Sequence, residues 1–462
     1  MRTTPELSLP VALDRGSDVS LPDQIAAAVR ELVGTGVLVA DDPLPSTRAL
    51  ATQLGVSRGS AVQAYDQLLA EGWLIARTGG GTRVNPKIRA VRPPEADLPV
   101  PVPAVEAGPP AIDLRPGQPM EASLVDATWR SAWRRAADEP LGGEVPILGL
   151  TALRVAVAEH LRRMRAVVRP AELIAVTAGG RQGLSLLLAA TGARRVGVEN
   201  PGYPSMRRVL ERAGVDVVPL AADARGLIPE HLPDPAPDLV LVTPSHQYPL
   251  GGSLPVDRRQ ALLAWATATD TWIVEDDYDS ELRYTSQPLP ALTAMDGGER
   301  VALLGTFSKT LTPALATGFI VMPPTLIPAV LDARRDLGMP VSLVTQRAVA
   351  HYLEAGGLTR HTQRMRHLYR RRRDRVVAAL DGLAGVRVRP MDGGLHVVVE
   401  IAGDERRLVD RLVDAGVLVS GLARYWSDSN ARAGIVFGFG SVSDAELDAG
   451  LEVIAEVLRT FV

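Results

Sequence analysis

Lys309, in "GTFSKTL", is one of only two lysines, with Lys87, among 50 basic side chains that are otherwise arginine. Wherever charge alone is wanted, this chain uses arginine. A primary amine can shed its proton and attack a carbonyl, which a guanidinium never does in a protein, so position 309 reads as a nucleophile. A second chemical stretch is "WIVEDDYDSELRY". After the apolar Trp272, Ile273 and Val274, strand alternation puts Asp276 and Tyr278 on one face, Glu275 and Asp277 on the other. A solvated acidic strand end reads the same way. "TAGGRQGL" closes one strand and opens a helix, aiming the backbone N–H groups near Gly180, Arg181 and Gln182 beyond the strand, a place suited to an anion. An ordinary strand-to-helix turn uses the same residues. "ENPGYP" sets Tyr203 in a proline-stiffened loop, as a packing aromatic or a stacking platform. Thr306 and Ser308 add hydroxyls beside Lys309.

These groups act together only if the fold gathers them. The apolar runs "RVGVEN", "DLVLVTP", "TWIVEDDY" and "VALLGTF" alternate with helical segments such as "RQGLSLLLAA" and "VDRRQALLAWATA". That alternation predicts an α/β region with a parallel or mixed sheet covered on both faces. Ligands in such sheets sit at the carboxyl ends of the strands, where these polar clusters fall. An amine, a carboxylate, a phenol and an anion cradle at neighbouring strand ends form the set that pyridoxal 5′-phosphate requires. Lys309 meets the aldehyde, Asp276 keeps the ring nitrogen protonated, Tyr278 donates to the ring oxygen, and the helix end with Thr306 and Ser308 holds the phosphate.

The first part of the chain reads differently. Ile25, Val29, Leu32 and Val33 fall at helical spacing, and Gly34 and Gly36 stop that helix. A second helix is capped by Ser46, carries Leu50 and Leu54, and ends at Gly55. A third, capped by Ser57, is expected to bury Val62, Tyr65 and Leu69. The short link through Leu54, Gly55, Val56 and Ser57 is a helix-turn-helix signature. "WLIARTGGGTRV" then reads as a β-hairpin. From 73 to 92 there are five basic residues and no acid, a stripe of the kind that contacts phosphates. A solvated arginine face on a small protein-interaction module is the alternative. Eight prolines between residues 86 and 110 mark a linker. The expected domains are 1–85, the linker 86–111, and 112–462.

The chain has 462 residues, a net charge of −3 and no cysteine, which excludes disulfides, thiolate nucleophiles and Cys-ligated metal centres. No metal site is read. Residues 1–30 lack an apolar leader, and no run approaches about 18 apolar residues, so a soluble cytoplasmic protein is expected.

"LPSTRALATQLGVSRGSAVQAYDQLLAEGWLIARTGGGTRV" resembles the winged helix-turn-helix of the GntR family. The resemblance implies double-stranded operator DNA as a partner, with Arg48, Ser57, Arg58, Ser60 and Gln63 as contacts and Arg77, Gly80, Thr82 and Arg83 at the wing. From about Asp113 onward, "LRPGQP", "VTPSHQYPLGGSLPVDRRQALLAWA", "IVEDDYDSELRY" and "GTFSKTLTPALATGF" resemble fold-type I aminotransferases. The two together look like the MocR/GabR group of transcription regulators. That resemblance implies a large sheet domain with a small C-terminal α+β part. Lys309 would be the Schiff-base lysine, Asp276 the pyridinium partner, Tyr278 the ring-oxygen donor and Tyr203 the ring-stacking aromatic, with His246 and Gln247 beside the ring. It also implies a domain-swapped homodimer that regulates vitamin B6 or amine and amino-acid metabolism. Pyridoxal phosphate, or its external aldimine with an amine or amino-acid effector, would be the signal.

Two departures stand out. Ala316 occupies the place, seven residues after the lysine, where the family usually has an arginine on the cofactor phosphate. Losing one charged clamp costs about 1.5–3 kcal/mol unless replaced, and Arg181 is the expected replacement. "LGGEVPILGLTALR" lacks the Tyr and Asp-Pro of the family phrase near the ligand entrance. Arg432 is the expected partner of an effector carboxylate, though a plain surface arginine fits that position equally. A working aminotransferase, or a regulator that has lost the cofactor and keeps the domain for dimerisation, would share these residues. Ala316 favours the latter, and the retained Lys309, Asp276 and Tyr278 oppose it.

Overall fold

The computed structural model describes residues 9–77, 81–88, 111–140, 145–284, 290–428 and 431–461. Gly80 and nearly all of the proline-rich segment lie outside them. The chain divides into two compact units, one ending at Glu106 and the other beginning at Ala107.

The first unit has helices α1 (Leu21–Gly34), α2 (Thr47–Leu54) and α3 (Arg58–Ala70), followed by antiparallel strands Leu74–Arg77 and Gly81–Val84. Each helix start is closed by a serine: Ser20, Ser46 and Ser57 accept from backbone N–H groups three residues on. Gly55 ends α2 at φ +62, a left-handed conformation that glycine adopts without a Cβ clash. Arg15, which the sequence did not single out, donates to the Gly55 carbonyl and ties down this turn.

One expectation is corrected here. Helix α3 buries Ala61, Ala64, Tyr65 and Leu68, while Val62 and Leu69 are only half-buried. The face is turned by one residue because α3 packs against both α1 and α2, and the alanines let the backbones approach.

The second unit is built on an eight-stranded sheet. Its order is Ile174–Thr177, Gly318–Val321, Val301–Thr306, Trp272–Asp277, Leu239–Val242, Arg195–Asn200, Asp216–Asp223 and Gly226–Leu227. The five strands from Val301–Thr306 to Asp216–Asp223 are mutually parallel, and Gly318–Val321 is antiparallel to both its neighbours. Parallel register brings Asp276 level with Leu304 and Val242 level with Glu275, so the carboxyl ends share one edge. Helices cover the sheet with buried Leu, Val and Ile on both faces. A smaller lobe carries a second sheet, Val386–Val388, His396–Ile401, Gly434–Gly438 and Ser420–Gly421, packed on Gly357–Leu380 and Asp444–Phe461. Among the described residues, no helix is long and apolar enough to cross a membrane.

Candidate functional site

A cavity of about 270 Å³ opens at the carboxyl edge of the large sheet. Lys309 enters it from the turn after Val301–Thr306. Asp276 and Tyr278 come from the end of Trp272–Asp277, Gly180 and Arg181 from the start of the helix Gly180–Thr191, and Tyr203 from the loop after Arg195–Asn200. Thr306 and Ser308 complete that wall, with the Thr306 hydroxyl donating to Ser308 Oγ at 2.9 Å.

The acidic strand end is not solvated. Glu275, on the opposite face, is buried and accepts from the backbone N–H groups of Leu292 and Thr293, while Asp277 pairs with Arg165 at 2.8 Å. Asp276 is also buried, yet among the described residues nothing donates to its carboxylate. Burial first, then the charges of Asp277, Asp279 and Glu199, push its pKa up to about 7. The carboxylate faces the cavity and not a protein donor, a placement that fits a ligand bringing a ring N–H to this wall.

Lys309 is half-buried, and its amine donates to the Gly117 carbonyl at 2.5 Å. Burial lowers its pKa; Asp279 and Asp276 oppose this, and Arg181 adds to it. Gly117 sits at φ +107, a backbone conformation that favours glycine, and a Cβ there would come within 2.9 Å of the amine and push it aside.

Tyr278 keeps its proton, because burial raises its pKa well above the usual value. Its hydroxyl lies 2.9 Å from the His246 carbonyl and 3.0 Å from His246 Nδ1. With Nδ1 protonated toward Asp279, at 2.9 Å, the tyrosine proton goes to the carbonyl, and offering it to a ring oxygen requires exchanging that bond.

Several expected residues are placed elsewhere. His246 is buried behind Tyr278, stacked on it at 5.8 Å between centroids, and forms no part of the cavity wall. Gln247 is turned away too: its amide donates to the Pro201 and Tyr248 carbonyls and its oxygen accepts from Leu250 N–H, holding the loop together. Gln182 folds back to accept from Ala178 N–H. Arg432 lines a different cleft and pairs with Glu400 at 3.0 Å. Ala316, at φ +43, is exposed on a turn. Arg181, by contrast, lines the cavity and makes no ion pair among the described residues. The wall also includes Gln118, Met206, Thr243, Tyr248 and Pro313, which sequence reasoning missed. Tyr248 meets Tyr203 edge-on at 5.2 Å, so the 39% exposed Tyr203 ring is braced from behind.

In the first unit, Arg48, Ser57, Arg58 and Gln63 are exposed around the start of α3, and Ser60 is half-buried. The Ser57 hydroxyl is occupied, accepting from Ser60 N–H at 3.1 Å. At the hairpin, Arg77 and Arg83 are drawn to Asp41, at 3.3 and 3.7 Å, and Thr82 is half-buried.

A helix-turn-helix unit followed by an aminotransferase fold defines a class of DNA-binding regulators, and the comparisons agree. Residues 21–84 match the bacterial regulatory proteins of the gntR family, and residues 110–448 match aminotransferase class I and II. The chain is 46% identical over 451 residues to the HTH-type pyridoxine biosynthesis transcriptional regulator PdxR of Corynebacterium glutamicum, covering 97% of this chain and 98% of that one. It is 33% identical to the probable rhizopine catabolism regulatory protein MocR of Rhizobium meliloti, covering 96% and 94%. Among solved structures, the Pyrococcus horikoshii kynurenine aminotransferase in complex with PMP matches 76% of this chain and 91% of its own at a TM-score of 0.69 and 25% identity. The chain belongs to the MocR-type transcription regulators, in which a GntR helix-turn-helix is joined to an aminotransferase class I and II domain.

Proposed function

We propose that this regulator senses pyridoxal 5′-phosphate, held in the cavity at Lys309, and converts its presence into a change in operator binding. The observation that carries this reading is Asp276: a buried carboxylate that faces the cavity, lacks a donor of its own, and stands on the same wall as a primary amine of lowered pKa. When bound, the cofactor supplies an aldehyde, an electrophile for a primary amine. Lys309 offers an amine whose burial favours the neutral, nucleophilic form. Asp276 would hold the ring nitrogen, Tyr203 would cover the ring, and Arg181, the helix N-terminus at Gly180, Thr306 and Ser308 would hold the phosphate.

The lining favours the phosphorylated aldehyde as the signal over an adduct with an amino acid. Arg181 is the only arginine lining the cavity among the described residues, and Arg432 is turned into another cleft. One arginine suits one phosphate, and among the described residues no second guanidinium lines the cavity to take a carboxylate. The 46% identical relative named for pyridoxine biosynthesis supports vitamin B6 supply as the regulated process. An aminotransferase of steady turnover would need a carboxylate clamp for its substrates, and the helix-turn-helix would serve no purpose in it.

The DNA reading places α3 in the major groove, with Arg58 and Gln63 near base edges and Arg48 and the hairpin arginines on phosphates. Operator sites read in pairs call for a homodimer, in our reading one that exchanges its N-terminal units, with the linker setting their effective concentration. A ligand alters such an assembly only through different affinities for its two arrangements. The test is operator binding by the full chain with and without pyridoxal phosphate. A response that vanishes in Lys309→Ala supports the reading, and an identical response in that variant refutes it.

A further inference from the structure

A second cleft, of about 480 Å³, opens between the large-sheet lobe and the smaller lobe. Pro201, Arg225 and Leu250 line it from one side, and Arg387, Trp426 and Arg432 from the other. Arg389 and Arg432 share one carboxylate oxygen of Glu400, at 2.6 and 3.0 Å, and Asp223 is taken by Arg258 at 2.9 Å. Arg225 and Arg387 are exposed and form no ion pair among the described residues. Four guanidinium groups therefore line the cleft, where the carboxylate of the lining, Asp223, is already paired with Arg258 and Glu400 is shared by two of the four. Like charges gathered around a concave surface repel one another and create a field that an anion would relieve. The planar forks of arginine match phosphate oxygens in pairs. The remaining wall is apolar, and the half-buried Trp426 is the aromatic residue among its described lining. Such a ring packs well against a flat ligand.

We propose that this cleft is a second ligand site, separate from the cavity at Lys309, for a small phosphate-bearing organic anion with a flat ring, of the nucleotide kind. Its volume lies within the range of small-molecule sites. Pro201 and Leu250 stand two residues from Tyr203 and Tyr248, which line the first cavity, so the two sites lie back to back along the same loops.

The experiment titrates ATP and, separately, inorganic pyrophosphate into the full-length protein at physiological ionic strength, followed by calorimetry. ATP should bind saturably, one per chain, and pyrophosphate at least tenfold more weakly, because it has no ring for Trp426. The double variant Arg225→Ala with Arg387→Ala, and separately Trp426→Ala, should each lose at least tenfold in ATP affinity while keeping the absorbance of bound pyridoxal phosphate. If Trp426→Ala does not fold, the arginine variant decides. The proposal is overturned by an absence of saturable binding, by equal affinities for the two probes, or by variants that bind ATP like the parent. The last outcome would place ATP on the basic surface of the helix-turn-helix. None of these outcomes bears on cofactor capture by Lys309, which is read separately from its absorbance.

Discussion

Replacing Asp276 with asparagine should strengthen the cofactor-free protein while weakening its hold on the cofactor. Burial and the neighbouring acids raise the pKa of this carboxyl from 3.8 to about 7. The folded protein then retains a proton that the unfolded chain has released, so the stability this proton contributes falls as pH rises from about 4 and is gone above about 7. With each factor of ten in proton affinity worth about 1.4 kcal/mol, the full loss is on the order of 4 kcal/mol. Asparagine keeps the shape and has no proton to lose. Asp276→Asn should therefore melt with the parent at pH 4, gain progressively, and at pH 8 melt higher by roughly 5 °C for a domain of this size. Glu199, whose pKa burial also pushes up to about 7, is present in both proteins and largely cancels in the comparison. Calorimetry on protein stripped of cofactor at pH 4, 6 and 8 measures this. A variant that melts lower than the parent at pH 8 would mean that the carboxylate is ionised and paired in the free protein, and the account of Asp276 as a group awaiting a donor would be wrong.

Four further outcomes are expected. Lys309→Ala should abolish the visible absorbance of bound pyridoxal phosphate, and equal spectra for parent and variant would remove the assignment. Arg181→Ala should weaken cofactor binding by about 1.5–3 kcal/mol, or roughly 10- to 150-fold, as read by equilibrium titration of the absorbance, if it replaces the clamp missing at Ala316. Gly117→Ala should also weaken the cofactor, since φ +107 is strained for alanine and its Cβ would displace the Lys309 amine; an unchanged absorbance titration would show that the loop gives way. Arg58→Ala should weaken operator binding in a mobility-shift assay by about 1–3 kcal/mol while leaving the absorbance intact, and normal DNA binding would move the recognition surface elsewhere.

What the sequence reveals about this site, and what it hides, follows from how each residue reaches it. Lys309, Asp276 and Arg181 were legible because each stands within three residues of a strand or helix end, and strand ends in a parallel sheet must meet. Alternation sorted Asp276 and Tyr278 from Glu275 and Asp277 without any knowledge of the sheet. Gly117 was beyond reach, since it meets Lys309 across 192 residues of chain and its signal is only a glycine between Pro116 and Gln118. His246 and Gln247 show the converse failure: being near a site in sequence does not decide which way a side chain turns. In a loop without regular hydrogen bonds, the backbone groups of Pro201, Tyr248 and Leu250 must find partners, and Gln247 meets that demand. His246 is likewise claimed by Asp279, and its carbonyl by Tyr278. Charge alone suggests Arg432 as a carboxylate partner, yet the fold turns it to Glu400, which it shares with Arg389. The same competition explains α3: apolar periodicity allowed two faces one residue apart, and close packing against two helices selected the face with Ala61 and Ala64 over the one with Val62. Residues fixed by the geometry of their own element can be read from sequence, whereas those claimed by the unmet hydrogen bonds and charges of distant segments need the fold.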